Sequence, residues 1–442
     1  MKIDLPIDVN FIIRKLEEAG FEAYAVGGCV RDRILGKEPN DWDITTSAKP
    51  EQVKSLFDHT IDTGIQHGTV TVMINHVGYE VTTYRIDGKY EDGRHPTEVT
   101  FTPDLLEDLK RRDFTINAMA YNDSTGLVDA FDGVFDLERG IIRCVGKPEK
   151  RFSEDALRML RAIRFAAQLG FSIDENTMNG VKMLAGTLKR VSAERIQVEL
   201  VKLLLSDNPD RLRDAYTSGL TAVFLPEFDA MMKTKQNTIH HKYSVGEHTI
   251  RVIEGVPADK VLRIAALLHD VAKPVTKWTD EEGVDHFTGH PQAGAEMSKL
   301  ILRRLKFDND TIKRVSVLVK AHDERPSAKE RSVRRAIARI GTDAFPELFD
   351  LKRADTLAQS EYMREDKLAA IDDFERLYKA VIEKNQALAV KDLLVTGKDA
   401  IELGIEPGPK VGEVLDALLQ EVLDEPEKNN KEYLLTRIRE LK

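Results

Sequence analysis

A small β-containing head followed by a long all-α body, an α+β chain, is the architecture this sequence predicts. Three observations point to it. Residues 67–85, HGTVTVMINHVGYEVTTYR, alternate apolar and polar like a β-hairpin. From residue 153 onward the apolar residues recur at helical spacing almost to the end. The chain has 442 residues, more than one core normally serves, so two to four domains are expected.

The elements follow in order. Residues 8–20 predict a helix with Phe11, Ile12 and Leu16 on one face and Gly20 as its stop. FEAYAVGG predicts a strand running into a glycine turn, VRDRILG a short helix, DWDITT the next strand, and KPEQVKSLF a helix. The hairpin of residues 67–85 turns at 75–78, and the Gly- and charge-rich residues 86–101 predict a loop ending in a short strand. Residues 105–121 predict a helix, and GLVDAFDG a small strand or turn. Helices then fill residues 153–229, histidine-bearing helices continue to about residue 359, and a helical tail carries one Gly/Pro interruption at 403–415. The predicted domains are a head at 1–150, a helical neck at 151–235, a histidine-rich domain at 236–362 and a tail at 363–442.

Composition excludes several classes. Hydrophobic content of 42% with 32% charged residues fits globular structure rather than disorder. The two cysteines, Cys29 and Cys144, form no CxxC pattern, which argues against zinc–thiolate or disulfide chemistry and for a reducing compartment. No apolar run approaches the roughly 20 residues of a membrane span. The N-terminus lacks a basic-then-apolar signal layout, so a cytoplasmic location is expected. A net charge of −10 argues against non-specific coating of nucleic acid, but a local basic groove on an acidic body is compatible with it.

The first chemical constellation is PNDWDITT. In a strand, Asp41 and Asp43 would stand on one face, where two anions repel each other. A divalent metal is the usual compensation, and paired carboxylates recur where two metals clamp an in-line displacement at phosphorus. Glu80 on a neighbouring predicted strand is a third candidate. Upstream, GGCVRD offers a Gly-Gly turn that admits a polyphosphate closely, with Arg31 as its guanidinium. In EDALRMLRAIRF, Asp155 and Arg158 are i,i+3 neighbours. Arg158, Arg161 and Arg164 trace a sliding stripe opposite Met159, Leu160, Ile163 and Ala166, which should face the core. An acid and a guanidinium side by side match the pairing edge of cytosine or adenine, an amino donor beside a ring-nitrogen acceptor. Uracil and guanine present a carbonyl and a ring N–H there and would be mispaired, at roughly 1–3 kcal/mol per unsatisfied group.

These stretches, with LKRRDFTINAMA between them, resemble the class II tRNA nucleotidyltransferase and bacterial poly(A) polymerase family over roughly residues 20–200. The resemblance implies that Asp41 and Asp43 hold Mg2+, with Glu80 a looser match to an acidic position of the family. It implies that Gly28, Arg31 and Arg112 bind the nucleotide, and that Asp155, Arg158, Arg161 and Arg164 form the base-selecting, triphosphate-facing helix. CTP, ATP and the 3′ end and acceptor stem of tRNA are the implied partners. The full-length loop with Asp92, Gly93 and Arg94 favours addition of the final adenosine, because family members that add only C tend to have it shortened. A poly(A) polymerase, or a CC-only or A-only enzyme, shares the head motifs and stays open.

The second constellation is an ordered series of histidines: His248, His269-Asp270 in an apolar helix, His290, His322, then Asp355. Adjacent His and Asp in an apolar helix are costly to bury unpaired. The segment resembles the HD superfamily of helical metal-dependent phosphohydrolases, down to Lys273-Pro274 after the HD pair. By that resemblance His248, His269, Asp270 and Asp355 are the basic ligand set, and His290 and His322 the additional positions of two-metal variants. A divalent transition metal or Mg2+ would be bound, and phosphomonoesters or 2′,3′-cyclic phosphates are the implied substrates. A different class of reading also stays open, a metabolite or signalling phosphohydrolase whose head merely binds nucleotides. In the tail, residues 408–412 could present backbone N–H groups and Lys410 to RNA phosphate, and the resemblance places this region near the tRNA elbow.

Overall fold

The computed structural model describes residues 1–88, 99–325 and 327–442. The expected adenosine-favouring loop residues Asp92, Gly93 and Arg94 lie outside them. The chain divides into two compact units, Met1–Pro226 and Glu227–Lys442.

The first unit opens with α1 (Ile7–Glu18), whose buried face is Val9, Ile12, Ile13 and Leu16. Phe11, expected on that face, is half exposed, because 100° per residue carries it to the next side of the helix. Then come β1 (Ala23–Val26), α2 (Gly28–Ile34), β2 (Asp43–Thr46), α3 (Pro50–Leu56), β3 (Thr60–Gly64), β4 (Thr69–Ile74) and β5 (Val77–Thr83). The β4–β5 hairpin turns on Asn75 and His76, with φ of 49° and 67°. Two consecutive left-handed residues make the I′ geometry that matches strand twist. A short pair follows, β6 (Arg85–Asp87) with β7 (Val99–Phe101), then α4 (Leu105–Lys110), β8 (Met119–Asn122), β9 (Gly126–Asp129), α5 (Gly133–Arg139) and β10 (Ile141–Ile142).

The sheet has seven strands in the order β3-β4-β5-β2-β1-β8-β9, and β2 runs parallel to β5 and antiparallel to its other neighbour, β1. The helix expected over 105–121 is a correction. It stops at Lys110, and Met119–Asn122 is a strand buried along its whole length, two places from β2 in the sheet. A short apolar run buried on both faces carries neither period, so pattern alone cannot separate the two readings.

Helices follow: α6 (Pro148–Glu154) and α7 (Leu157–Leu169), then, after β11 (Ser172–Ile173), α8 (Glu175–Leu184), α9 (Ala193–Leu204), α10 (Leu212–Thr217) and α11 (Thr221–Phe224). Met159, Leu160, Ile163 and Ala166 of α7 are buried as expected.

The second unit contains α12 (Pro226–Lys233) from Glu227 on, α13 (Val245–Gly255), α14 (Lys260–Leu268), α15 (Lys273–Thr276), the β12 (Trp278–Thr279) and β13 (Asp285–His286) pair, α16 (His290–Arg304), α17 (Asn309–Ala321), α18 (Glu330–Ile340), α19 (Phe345–Ala358) and α20 (Arg364–Glu383). Its last helices, α21 (Gly397–Glu402), α22 (Pro409–Asp424) and α23 (Lys431–Glu440), close over Val395, Leu418, Leu423, Leu434 and Ile438. Arg334 on α18 donates to the carbonyls of Leu423 (2.7 Å) and Asp424 (3.1 Å), satisfying the C-terminal end of α22.

Gly246 lets α13 lie against α12. A Cβ there would stand 2.6 Å and 2.7 Å from the Met232 backbone N and Cα. Gly246→Ala should therefore destabilise the second unit by about 2 kcal/mol. By calorimetry this lowers its transition by about 4–8 °C; an unchanged transition contradicts the packing described.

Candidate functional site

β2 begins at Asp43, and the parallel register sets Asp43 beside Glu80 on β5. Asp41 precedes the strand rather than sharing it, which corrects the expectation of an Asp-x-Asp strand face; the chain becomes extended and paired only after Trp42. The three carboxylates still act on one another. Surrounding protein desolvates Asp43, Arg112 opposes the effect, and Asp41 and Glu80 add repulsion, so its carboxyl is raised from 3.8 to about 6. Asp43 keeps an exposed face, so the opening through which solvent reaches it is also open to a ligand. Three converging carboxylates suit a hard divalent cation.

The guanidiniums stand around this edge. Gly27, with φ of +84°, passes so close to Arg112 that a Cβ would lie 2.9 Å from its Nη1. Among the described residues Arg112 is lightly held, with one long contact to Asp108 at 3.5 Å and a buried Nε that meets no acceptor. Arg31 folds back over Gly28, donates from Nη1 to Asn117 Oδ1 (2.8 Å) and pairs with Asp32 (2.7 Å). Asn117 donates to Asp113 (3.2 Å), which also accepts from Arg161 (2.6 Å). Burial alone would raise the Asp113 carboxyl, but Arg161 and Arg158 outweigh it and hold it at about 2. The start of α2, the segment between α4 and β8, and α7 are thus one bonded structure.

Asp155 and Arg158 do not share a helix. Asp155 sits extended at the junction of α6 and α7, where it caps Leu157 N (3.0 Å), and Arg158 lies in the first turn of α7. Arg158 donates to Glu154 (2.8 Å) and to the Arg111 carbonyl (3.1 Å); Asp155 pairs with Arg195 of α9 at 2.6 Å. Arg164, expected to face the triphosphate, is buried against Glu199 (2.8 Å) and Gln168 (2.8 Å).

In the second unit all six expected ligands meet. His248, His269 and Asp270 form one cluster, and Asp270, His290 and His322 another, with Asp270 common to both. Asp355 lies 3.0 Å from His248 Nε2. The Nδ1–H groups of His269, His290 and His322 donate to the carbonyls of Ala266, Phe287 and Val319 at 2.7–2.8 Å. That fixes the tautomer and turns each Nε2 lone pair inward. As a result His248 and His269 face each other Nε2 to Nε2 at 3.4 Å, and His290 and His322 at 3.3 Å. Both buried oxygens of Asp270 lack a well-directed hydrogen bond, although Lys273 Nζ is 2.7 Å away. Burial would raise the Asp270 carboxyl; His269 and Lys273 outweigh it and hold it well below the usual range. Lone pairs converging on an orphaned carboxylate suit divalent metal, and Asp270, His290, His322 and Asp355 line a cavity of about 560 Å³, with His248 and His269 buried behind them.

Comparison with known proteins then decides the family. A poly A polymerase head domain model matches residues 23–143, a model for a probable RNA- and SrmB-binding site of polymerase A matches 170–232, and a putative tRNA nucleotidyltransferase domain 2 model matches 286–438. The CCA-adding enzyme of Limosilactobacillus reuteri (strain DSM 20016) is 37% identical over 97% of this chain and 95% of its own. That of Levilactobacillus brevis is 36% identical over 97% and 96%. The chain belongs to the CCA-adding enzyme family. The crystal structure of the Bacillus stearothermophilus family member in complex with CTP superimposes with a TM-score of 0.74 at 30% identity, covering 99% of this chain and 98% of that one. A Thermotoga maritima member complexed with tRNA shares the fold, with a TM-score of 0.60 at 22% identity. Members of this family are nucleotidyltransferases dependent on divalent metal, and the carboxylate set of the head fits that requirement. No helix among the described residues is long and apolar enough to cross a membrane.

Sequence reasoning passed over Gly27 and Glu199. Gly27 carried a local signal, as the first half of the Gly-Gly pair; Glu199 acts through a partner 35 residues away.

The raised Asp43 carboxyl makes stability depend on pH. Its contribution is fully present below about pH 4 and is lost as pH rises through about 6, because the ionised form is the strained one. A divalent metal held by Asp43 would bind that ionised form. The rise in melting temperature on adding Mg2+ should therefore be small near pH 5 and grow to a plateau above about pH 7. In Asp43→Asn that growth should be absent; if it persists in thermal scans, Asp43 does not hold the metal.

Proposed function

We infer that this chain adds C, C and A to the 3′ end of tRNA without a nucleic-acid template, using CTP and ATP. The observation that carries the reading is the register of Asp43 with Glu80, Asp41 joining them, opposite the lightly held Arg112. In this reading Asp41 and Asp43, with Glu80, hold Mg2+, which when bound supplies charge stabilisation to an in-line displacement at the α-phosphate. The three carboxylates orient the RNA 3′-hydroxyl for attack. Arg112, with spare donors, and Arg31, anchored on Asn117, take the triphosphate, and the close approach at Gly27-Gly28 leaves room for it. Asp155 accepts from the exocyclic amino group of the base and Arg158 donates to its ring nitrogen. Arg161 and Arg164 brace this frame through Asp113 and Glu199. The proposed functional division is head 1–150, neck 151–235, histidine domain 236–362 and tRNA-binding tail 363–442, and the buried, unpaired Cys29 and Cys144 support work in the cytoplasm.

A second activity has its own observation, the four inward-turned imidazoles around Asp270. We infer a metal-dependent phosphohydrolase centre held by His248, His269, Asp270, His290, His322 and Asp355, acting on phosphomonoesters or 2′,3′-cyclic phosphates. Lys273, donating to Gln236 at 3.1 Å beside Asp270, would meet the incoming phosphate. His241, whose imidazole burial pushes down to about 2, presents a neutral ring to the same cavity.

Two experiments test these readings. Given tRNA lacking its terminal residues, the protein should use CTP first, then one ATP, and stop; a run of A would make it a poly(A) polymerase. Asp41→Ala and Asp43→Ala should each lower addition by about 10³-fold or more. Retained addition rejects the head assignment. His269→Ala and Asp270→Asn should lose divalent metal on dialysis, and with it hydrolysis of a 2′,3′-cyclic nucleotide, while nucleotide addition continues. Wild-type metal content in both variants rejects the second centre.

A further inference from the structure

Arg195 is absent from every role above, yet it is the partner of the residue assigned to read the base. It stands on α9, whose Ile196, Leu200, Leu203 and Leu204 are buried, and α9 packs on α7. From there it reaches the junction of α6 and α7 and takes the Asp155 carboxylate with both terminal nitrogens, at 2.6 Å to Oδ2 and 3.3 Å to Oδ1. Asp155 Oδ1 is fixed a second time by the Leu157 N–H at 3.0 Å. The carboxylate is thus pinned from the side of α9 and from the start of α7. Arg158 is held separately, by Glu154 and the carbonyls of Arg151 and Arg111. The two backbones are joined by the Arg158 N–H on the Asp155 carbonyl (3.1 Å), but the two side chains take different partners.

Rejection needs this more than acceptance does. An amino group attracts a carboxylate and would draw a free one into place. The carbonyl of uracil or guanine repels it, and a free side chain would simply turn away. Arg158 could then donate to that carbonyl unopposed, and the wrong base would be tolerated. A repulsive element discriminates only if it cannot relax. We propose that Arg195 is a specificity-determining positioning residue: it prevents Asp155 from swinging away, so that uracil and guanine meet a fixed acceptor and are refused. The proposal rests on the reading of Asp155 and Arg158 as the base-selecting pair.

The test is single-turnover addition of each of the four nucleotides to tRNA lacking its end, by wild type, Arg195→Ala, Arg195→Lys and Asp155→Ala, with melting temperatures recorded for all. Arg195→Ala should lose on the order of tenfold in the preference for CTP over UTP and for ATP over GTP, with use of the wrong nucleotides rising relative to the right ones. Arg195→Lys, whose single ammonium holds one oxygen rather than a fork, should fall between Arg195→Ala and wild type. A role confined to stability would lower all four rates in parallel and leave the ratios unchanged, and that result overturns the proposal. If Arg195→Ala does not fold, the ratios of Arg195→Lys decide it, wild-type ratios counting against. Asp155→Ala separates the two layers. If it keeps wild-type discrimination, the reading of the pair fails; if it loses discrimination while Arg195→Ala keeps it, only the role of Arg195 fails.

Discussion

The first unit depends on one buried carboxylate. Asp113 accepts from the Phe114 N–H (2.9 Å), Asn117 Nδ2 (3.2 Å) and Arg161 (2.6 Å), and through Asn117 it reaches Arg31. Its side chain belongs to the turn between α4 and β8, its partners to α7 and, at one remove, α2. Each donor satisfies a lone pair that burial would otherwise leave orphaned. Removing one side of such a buried pair costs about 3–5 kcal/mol, because the other charge remains. Here the consequence is geometric as well. The residues proposed to face the polyphosphate and those proposed to face the base come from separate elements, and Asp113 is where those elements are fastened together. The Phe165 ring fills the space between, 5.2 Å from the Arg31 and Arg161 guanidiniums and 3.6 Å from that of Arg164.

The two centres handle charge in opposite ways. In the head, burial first and then the neighbouring Asp41 and Glu80 push Asp43 up, against the pull of Arg112, so its ionised form gains from further positive charge. In the second unit, burial would push Asp270 and Asp355 up, but the facing imidazoles and Lys273 outweigh it and both are pushed down. The tautomers there are set in advance by backbone carbonyls, so a metal would find its ligands already oriented. The head suits a hard ion that exchanges with substrate. The imidazole set suits an ion held more permanently.

What the sequence made legible was chemistry carried by close neighbours. Asp43 and Glu80 could be paired because a hairpin and a strand were readable from alternation and turn residues. The six residues of the second centre were collected through the resemblance to the HD superfamily, which the improbable pair His269-Asp270 in the apolar run AALLHDVA flagged. Illegible features depended on tertiary approach. Met119–Asn122 reads as helix from pattern alone because a fully buried strand shows no period. Asp41 was placed on the strand because the point where pairing begins is set by β5 and β1, not by the motif. Asn117, Glu199 and Arg195 find their partners only when remote elements meet, and no spacing rule reaches across 35–86 residues.

The arginines of α7 show how a local rule can be right and still mislead. Three residues advance about 300° around a helix, so an every-third-residue row slides back by about 60° per step. Over two steps that is roughly a third of the circumference, enough to carry the row from a wall into the core. Arg158 lands at the junction with α6, where it meets Glu154; Arg161 lands on Asp113; Arg164 lands inside, 6% exposed, and must be met by the buried Glu199. The same residue type at the same spacing thus acquires three different tasks. In the proposed reading the first position offers its charge to a base, while the other two neutralise the buried carboxylates of Asp113 and Glu199. A helix reading a ligand with every arginine of its stripe would leave Asp113 and Glu199 unpaired in the core, and the frame that positions the first arginine would not hold.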